Sequence, residues 1–294
     1  MKTYNQVIKE LKALESVFGF DPTKLEQGSE EWKQMKLGVI SASNAYKVLK
    51  DPSSATYRTY MAELVGQIAT REFPEISARP LEWGKNNELA ARSIYEFETG
   101  LDFKEVPFIF KDSSLRYGCS PDSYGEIGVE LKCPYTTKVF INFACHGIIK
   151  PEYIDQCQFS MWVTGAHKWH FANYDPRMMV KQFHYVIIDR DPQRMRMFDE
   201  AVPQFVWEMD CALHKLGIKF GHQWHVDLPE FPHEESMQMI ERPANWKKEE
   251  ARKQVDMFNP SMVTEEQIKK ANAIKAKKMK SVKDVKFKIG QGVD

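Results

Sequence analysis

The chain lacks any run of about 18 apolar residues, the length a helix needs to cross a bilayer, so no membrane-spanning helix is expected. It also lacks the apolar stretch of a signal peptide. The opening MKTYNQVIKELKALESVFGF reads instead as an amphipathic helix, and the expected address is the cytoplasm. The five cysteines (Cys119, Cys133, Cys145, Cys157 and Cys211) are odd in number, scattered and without a CxxC pair. That pattern suggests neither a disulfide framework nor a zinc site, and predicts reduced, buried, small hydrophobes. His222 and His225 have a ligand spacing but no companions. No repeat is present, and neither sign of charge is in excess: 41 Lys+Arg face 41 Asp+Glu. A zero sum is uninformative, because a protein holding a metal with carboxylates and a polyanion with lysines also sums to zero. Against these absences stand 43% hydrophobic and 12% aromatic residues in 294, enough for a substantial core.

Periodicity places helices from Glu30 to near Gly38, from an N-cap at Ser41 through SASNAYKVLK, and over Thr56–Arg71. The best helical stretch of the first half is Leu81–Thr99, with Trp83, Ala90, Ile94 and Phe97 on one face and Gly100 closing it. The period then changes. Val106–Phe110, Arg116–Ser120 and Val129–Cys133 read as strands, with a turn at Gly125–Gly128. A helix over Pro151–Thr164 and strands at His167–Tyr174 and Phe183–Ile188 follow, the last apolar on both faces and therefore expected to be central. Asp191 and Pro192 start a long helix, bent at Pro203 and ended by Gly217. The expected fold is α/β, a mixed central sheet flanked by helices. Composition shifts after about Asp227: prolines, then many lysines facing Asp284 alone. The expected division is a domain over 1–227 and a lysine-rich extension over 228–294.

The informative segment is Ser120-Pro121-Asp122, a short turn, then Val129-Glu130-Leu131-Lys132. Alternation along a strand puts Glu130 and Lys132 on one face and Val129 and Leu131 on the other. Asp122, across the turn, can converge on the Glu130 face. Two carboxylates and an ammonium at a sheet edge suit a hard divalent cation, magnesium or manganese, that orients a phosphate and activates water. The same spacing also suits a surface hairpin carrying an ordinary Glu130–Lys132 ion pair.

This pattern resembles the PD-(D/E)XK nuclease superfamily, whose core motif matches Pro121-Asp122 and Glu130-Leu131-Lys132. The resemblance narrows to the phage lambda exonuclease family, the YqaJ-like viral recombinases. EQGSEEWKQMKLGVISASNA, LEWGKNNELAARSIYEFETG, SPDSYGEIGVELKCPYTTKVF, QCQFSMWVTG, WHFANYDPRM, FDEAVPQF and GIKFGHQW carry it in the family's order, from about Phe20 to Trp224. It implies a restriction-endonuclease-like core and a Mg2+-dependent 5′→3′ exonuclease acting on double-stranded DNA ends, in a phage-infected or prophage-bearing host. Asp122 would bridge two Mg2+ ions (Mn2+ substituting), with Glu130 and the Leu131 carbonyl completing one site and Glu88 the other. Lys132 and Gln156 would manage the attacking water. Lys36, Ser43 and Ser120 match the readers of a terminal 5′ phosphate, and Leu81 matches a strand-separating wedge. A homotrimeric ring and a single-strand annealing partner are also implied.

The chain departs from the pattern in places. Lys36 stands where the family has arginine, and so lacks the bidentate fork. The turn before Glu130 is short, Ser123 replaces a glycine, and Lys50–Ile76 aligns poorly. Nothing in the resemblance explains Leu228–Asp294. The rival readings are another PD-(D/E)XK repair nuclease and a non-catalytic DNA-end-binding module. Intact Asp122, Glu130 and Lys132 argue against the second, and the missing cysteine quartet against an iron–sulfur type.

Overall fold

The computed structural model describes residues 1–74 and 79–224. The expected extension over 228–294 lies outside the described residues, as does His225.

Helix α1 (Tyr4–Lys12) opens with a capping box, in which the Thr3 side chain accepts from the Gln6 N–H and the Gln6 side chain accepts from the Thr3 N–H. A short α2 (Glu15–Phe18) ends where Gly19 takes φ +81°, and Ser29 caps α3 (Glu30–Met35). The chain then enters a strand, β1 (Ile40–Ser41), rather than a helix. Ser41 makes no capping bond; its hydroxyl meets Ser43 Oγ at 3.2 Å and accepts from Asn44 Nδ2, so the α-helix begins later, as α4 (Ala45–Val48). Pairing of β1 with a later strand outcompetes the local N-cap signal. Next come α5 (Ala55–Thr70), capped by Ser54, and α6 (Arg79–Thr99).

Two mixed sheets follow. In the smaller, β3 (Tyr117–Cys119) lies between β1, parallel to it, and β2 (Ile109–Phe110), antiparallel. In the larger, the order is β4 (Ser123–Tyr124), β5 (Gly128–Lys132), β6 (Lys168–Tyr174) and β7 (Phe183–Asp189). Strands β5 and β6 are parallel and the outer pairs antiparallel, so the sheet is mixed, as expected. Helices α7 (Thr137–His146) and α8 (Pro151–Thr164) make the parallel crossover. A Cβ on Gly128 would meet the Trp169 ring at 2.2 Å, so only glycine lets β5 lie against that indole.

Helix α8 is buried from Asp155 to Thr164 and packs against α4, α9 (Pro192–Lys215), β3 and β6. Its Phe159 meets Trp162 and Phe198 in the main core; removing such a ring costs about 3–5 kcal/mol. Asp191 caps α9, which runs through Pro203.

Three expectations need correction. Phe183–Ile188 is an outer strand, not the central one. Val186 and Ile188 pack on the main core while Phe183 and Tyr185 pack on a second cluster with Ala91 and Leu131. Apolarity on both faces therefore reports partial cover on two faces, with Ile187 still exposed, and not lateral position. Helix α6 buries Ala91 and Tyr95, whereas Ala90 is exposed and Phe97 is 85% exposed. Small Ala91 permits close approach to the sheet and rotates the packed stripe to Gly84, Glu88, Ala91 and Tyr95. Of the cysteines, all free, only Cys119 and Cys157 are buried; Cys145, near the end of α7, is exposed. Helix α7 itself had no counterpart in the periodicity reading.

Candidate active site

Along β5 the side chains alternate as the pattern requires. Leu131 packs with Ala91 and Ala172 on one face, and Glu130 is 3% exposed on the other. Lys132 pairs with Glu130, and its ammonium stands 5.1 Å over the Tyr153 ring of α8. Asp122 joins the pair across the turn through two bonds: its N–H donates to the Val129 carbonyl (3.1 Å), and its Oδ2 accepts from the Leu131 N–H (2.6 Å). The β4–β5 hairpin thus fixes the second carboxylate beside the first.

Charge here is out of balance. Burial, then the Glu130 carboxylate, then Glu88 push the Asp122 carboxyl up to about 8, against the opposing pull of Lys132 and the Leu131 N–H. Burial alone would lower the Lys132 pKa, but Glu130 and Asp122 hold it above the ordinary lysine value. A bound divalent cation would supply the positive charge that lets Asp122 and Glu130 ionise side by side.

Asp122, Lys132 and Leu131 line a cleft of about 550 Å³ whose opposite wall is α6, with Leu81, Lys85 and Glu88. Leu81 is 50% exposed. Glu88 faces the cleft, but its carboxylate is ion-paired with Arg92. Among the described residues no three His, Cys, Asp or Glu side chains form a ready metal cage. The donor set (Asp122, Glu130 and the Leu131 carbonyl) nevertheless suits magnesium, which uses one or two carboxylates and keeps several waters. A second ion at Glu88 requires that carboxylate to leave Arg92. Gln156 is buried one turn from Tyr153 on α8, and among the described residues no hydrogen bond joins it to Asp122, Glu130 or Lys132.

Sequence reasoning assigned nothing to Asn173, the register partner of Lys132 on β6. It is 2% exposed, lines the cleft, and its Oδ1 has no donor. Alternation along β6 aligns it with Phe171, but only the pairing register brings it to Lys132.

A second cluster of side chains lies where β3 ends. Lys36 is buried, with its ammonium 3.6 Å above the Trp32 ring and 5.3 Å from that of Phe108. The Trp32 N–H donates to the Pro107 carbonyl (2.7 Å), fixing the indole, and Lys36 Nζ reaches Ser120 Oγ at 3.5 Å. Burial pulls the Lys36 pKa down to about 7, with the Cys119 thiol a smaller opposing influence. Among the described residues Lys36 forms no salt bridge. The structure thus brings Lys36 and Ser120 together, while Ser43 is exposed and bonded to Ser41 rather than to Lys36.

A match to the YqaJ-like viral recombinase domain covers residues 31–167, from α3 through the end of α8. LHK-Exo, an alkaline exonuclease from Laribacter hongkongensis, superposes with a TM-score of 0.59 at 33% identity, over 64% of this chain and 96% of its own. The chain belongs to the YqaJ-like viral recombinase family. ExoD of Escherichia coli K12 is 53% identical over 76 residues, 26% of this chain and 87% of ExoD. A phage-related exonuclease from Haemophilus somnus 129PT, at 15% identity, shares the fold over 60% of this chain and 96% of its own (TM-score 0.50). Membership places this chain among alkaline exonucleases, so nuclease chemistry is the setting for its carboxylate cleft. No helix among the described residues is long and apolar enough to cross a membrane.

Proposed function

We propose that the chain is a Mg2+-dependent exonuclease that degrades one strand of double-stranded DNA from its 5′ end, leaving 3′ overhangs for phage-type recombination. The gathering of Asp122 and Lys132 at one cleft, with buried Glu130 paired to Lys132 directly behind them, supports this most directly. Bound divalent ions, two in the family pattern and Mn2+ in place of Mg2+ if need be, would neutralise the scissile phosphate and ease deprotonation of water. Asp122, Glu130 and the Leu131 carbonyl would hold them, with Glu88 on the far wall. Once Glu130 is so engaged, Lys132 is free to orient the attacking water, and Gln156 would extend that polar network. Leu81, half-exposed at the cleft mouth, would part the terminal base pair.

A 5′→3′ polarity would follow if Lys36 and Ser120 hold the terminal phosphate. Ser120 and Asp122 are two residues apart, at most about 7 Å along an extended chain. A strand whose terminal phosphate rested at Lys36 and Ser120, with Ser43 turned toward it, would bring its next phosphate toward Asp122. LHK-Exo was solved with dAMP, a 5′-mononucleotide of the kind such cleavage releases. Family resemblance extends the proposal to a homotrimeric ring and to a single-strand annealing partner in the bacterial cytoplasm. The test is blunt, 5′-phosphorylated duplex incubated with Mg2+, each strand labelled at its 3′ end. Progressive loss from 5′ ends supports the reading; shortening from 3′ ends, or internal cuts, sinks it.

A further inference from the structure

The loop that leaves β5 directly after Lys132 carries Tyr135 to the cleft wall, where the ring is 46% exposed. The backbone that carries this ring is held in place. The Pro134 and Tyr135 carbonyls accept from Arg177 Nη2 (3.0 Å) and Nη1 (2.9 Å). Arg177 is itself fixed by the fully buried Asp175, through Nε (2.8 Å) and Nη2 (2.9 Å), and its guanidinium stands 4.4 Å over the Trp83 ring of α6. One arginine therefore ties together the loops after β5 and β6 and the helix that bears Leu81 and Glu88. Trp83 meets Tyr135 edge-on, with centroids 6.2 Å apart and planes at 82°. That geometry leaves at least one face of the tyrosine uncovered by the indole. Lys85 and Lys150 line the same cleft.

A rigid, open aromatic face flanked by lysines is the combination that binds unpaired nucleotides: the ring takes a base and the ammonium groups take the phosphates. We propose that Tyr135 is a stacking platform for the base of an unpaired nucleotide in the strand being degraded. The inference rests on the nuclease reading above and adds to it a contact to a base, made through a π-face and so tolerant of sequence. Arg177 acts through Tyr135 as a positioning residue, because it pins the backbone from which the ring projects.

The experiment uses 5′-phosphorylated duplex with 2-aminopurine at the first, second or third nucleotide from the 5′ end, in EDTA so that the strand stays intact. A remote fluorophore reports binding by anisotropy on the same DNA. At saturation, wild type and Tyr135→Phe should quench 2-aminopurine at one of these positions. Tyr135→Leu, which keeps bulk without a π-face, and Tyr135→Ala should bind without that quench. In single-turnover cleavage with Mg2+, an abasic site at the same position should slow wild type roughly five- to a hundredfold, the weight of one base-on-aromatic stack. The Tyr135→Leu enzyme should be indifferent to it. Binding with equal quenching by wild type and Tyr135→Leu overturns the stacking proposal while leaving the nuclease reading standing. No duplex binding and no cleavage by the wild type overturns both.

Discussion

Lys132 and Lys36 are the same side chain, each set over an aromatic ring, and their surroundings drive them in opposite directions. Lys132 lies against Glu130 and near Asp122, so its proton is held tightly. Lys36 lies on Trp32 with a hydroxyl for company, and burial brings its pKa down to about 7. The carboxylate site crowds acidic groups that a bound cation would let ionise together, and so suits a cation. The aromatic pocket offers a cation with no partner carboxylate and suits an anion. Ser120-Pro121-Asp122 joins the two, so one short stretch of chain presents complementary demands.

The largest expected effects break the carboxylate side. Asp122→Ala, Glu130→Ala and Lys132→Ala should each lower the cleavage rate at least about a thousandfold, because charge stabilisation of several kcal/mol is lost. Circular dichroism checks folding alongside gel-resolved cleavage; near-normal rates in a folded Asp122→Ala or Glu130→Ala protein would remove the site. Replacing Mg2+ by Ca2+ should permit DNA binding without turnover, since calcium's larger, looser coordination does not align water and phosphate. Efficient cleavage in Ca2+ alone, or in EDTA, contradicts a magnesium-type site.

The next effect is on stability. An aspartate held at about 8 in the fold binds its proton more tightly than in the unfolded chain, so its contribution falls as pH rises from about 4 through 8. In EDTA, Asp122→Asn should therefore melt higher than wild type, with a gap that widens over that window. A gap that is flat with pH, or reversed, would show that Asp122 is not strained by its neighbours.

The aromatic side should give a smaller effect. Dephosphorylated ends should be degraded more slowly, and Lys36→Ala should erase roughly ten- to a hundredfold of preference, the weight of one charge-assisted hydrogen bond. The preference should also fade as pH rises through about 7, where Lys36 loses its charge. Equal wild-type rates on both ends at pH 6 would dismiss the pocket.

How much of this was legible in the sequence follows from the range of the interactions. Asp122, Glu130 and Lys132 could be read from spacing, because a tight turn and strand alternation are local rules. The Lys36–Ser120 contact spans 84 positions and depends on β1 lying parallel to β3, so only family resemblance pointed to it. Asn173 and Arg177 stayed silent for the same reason: register and loop packing bring them to the cleft. The outer position of β7 was misread because pattern reports burial of faces, not neighbours at an edge. The Glu88–Arg92 pair, four residues apart on α6, was within reach of helical spacing and was not drawn from it.

The most direct test of the central claim, that Asp122 and Glu130 form a divalent-cation site, is calorimetric titration of the protein with Mn2+ at pH 7, 8 and 9. Metal must displace the proton that Asp122 retains up to about 8, so wild-type affinity should rise across this series with fewer protons released at each step. Asp122→Asn should lose most of the binding heat at every pH. Undiminished, pH-independent Mn2+ binding by Asp122→Asn would contradict the account.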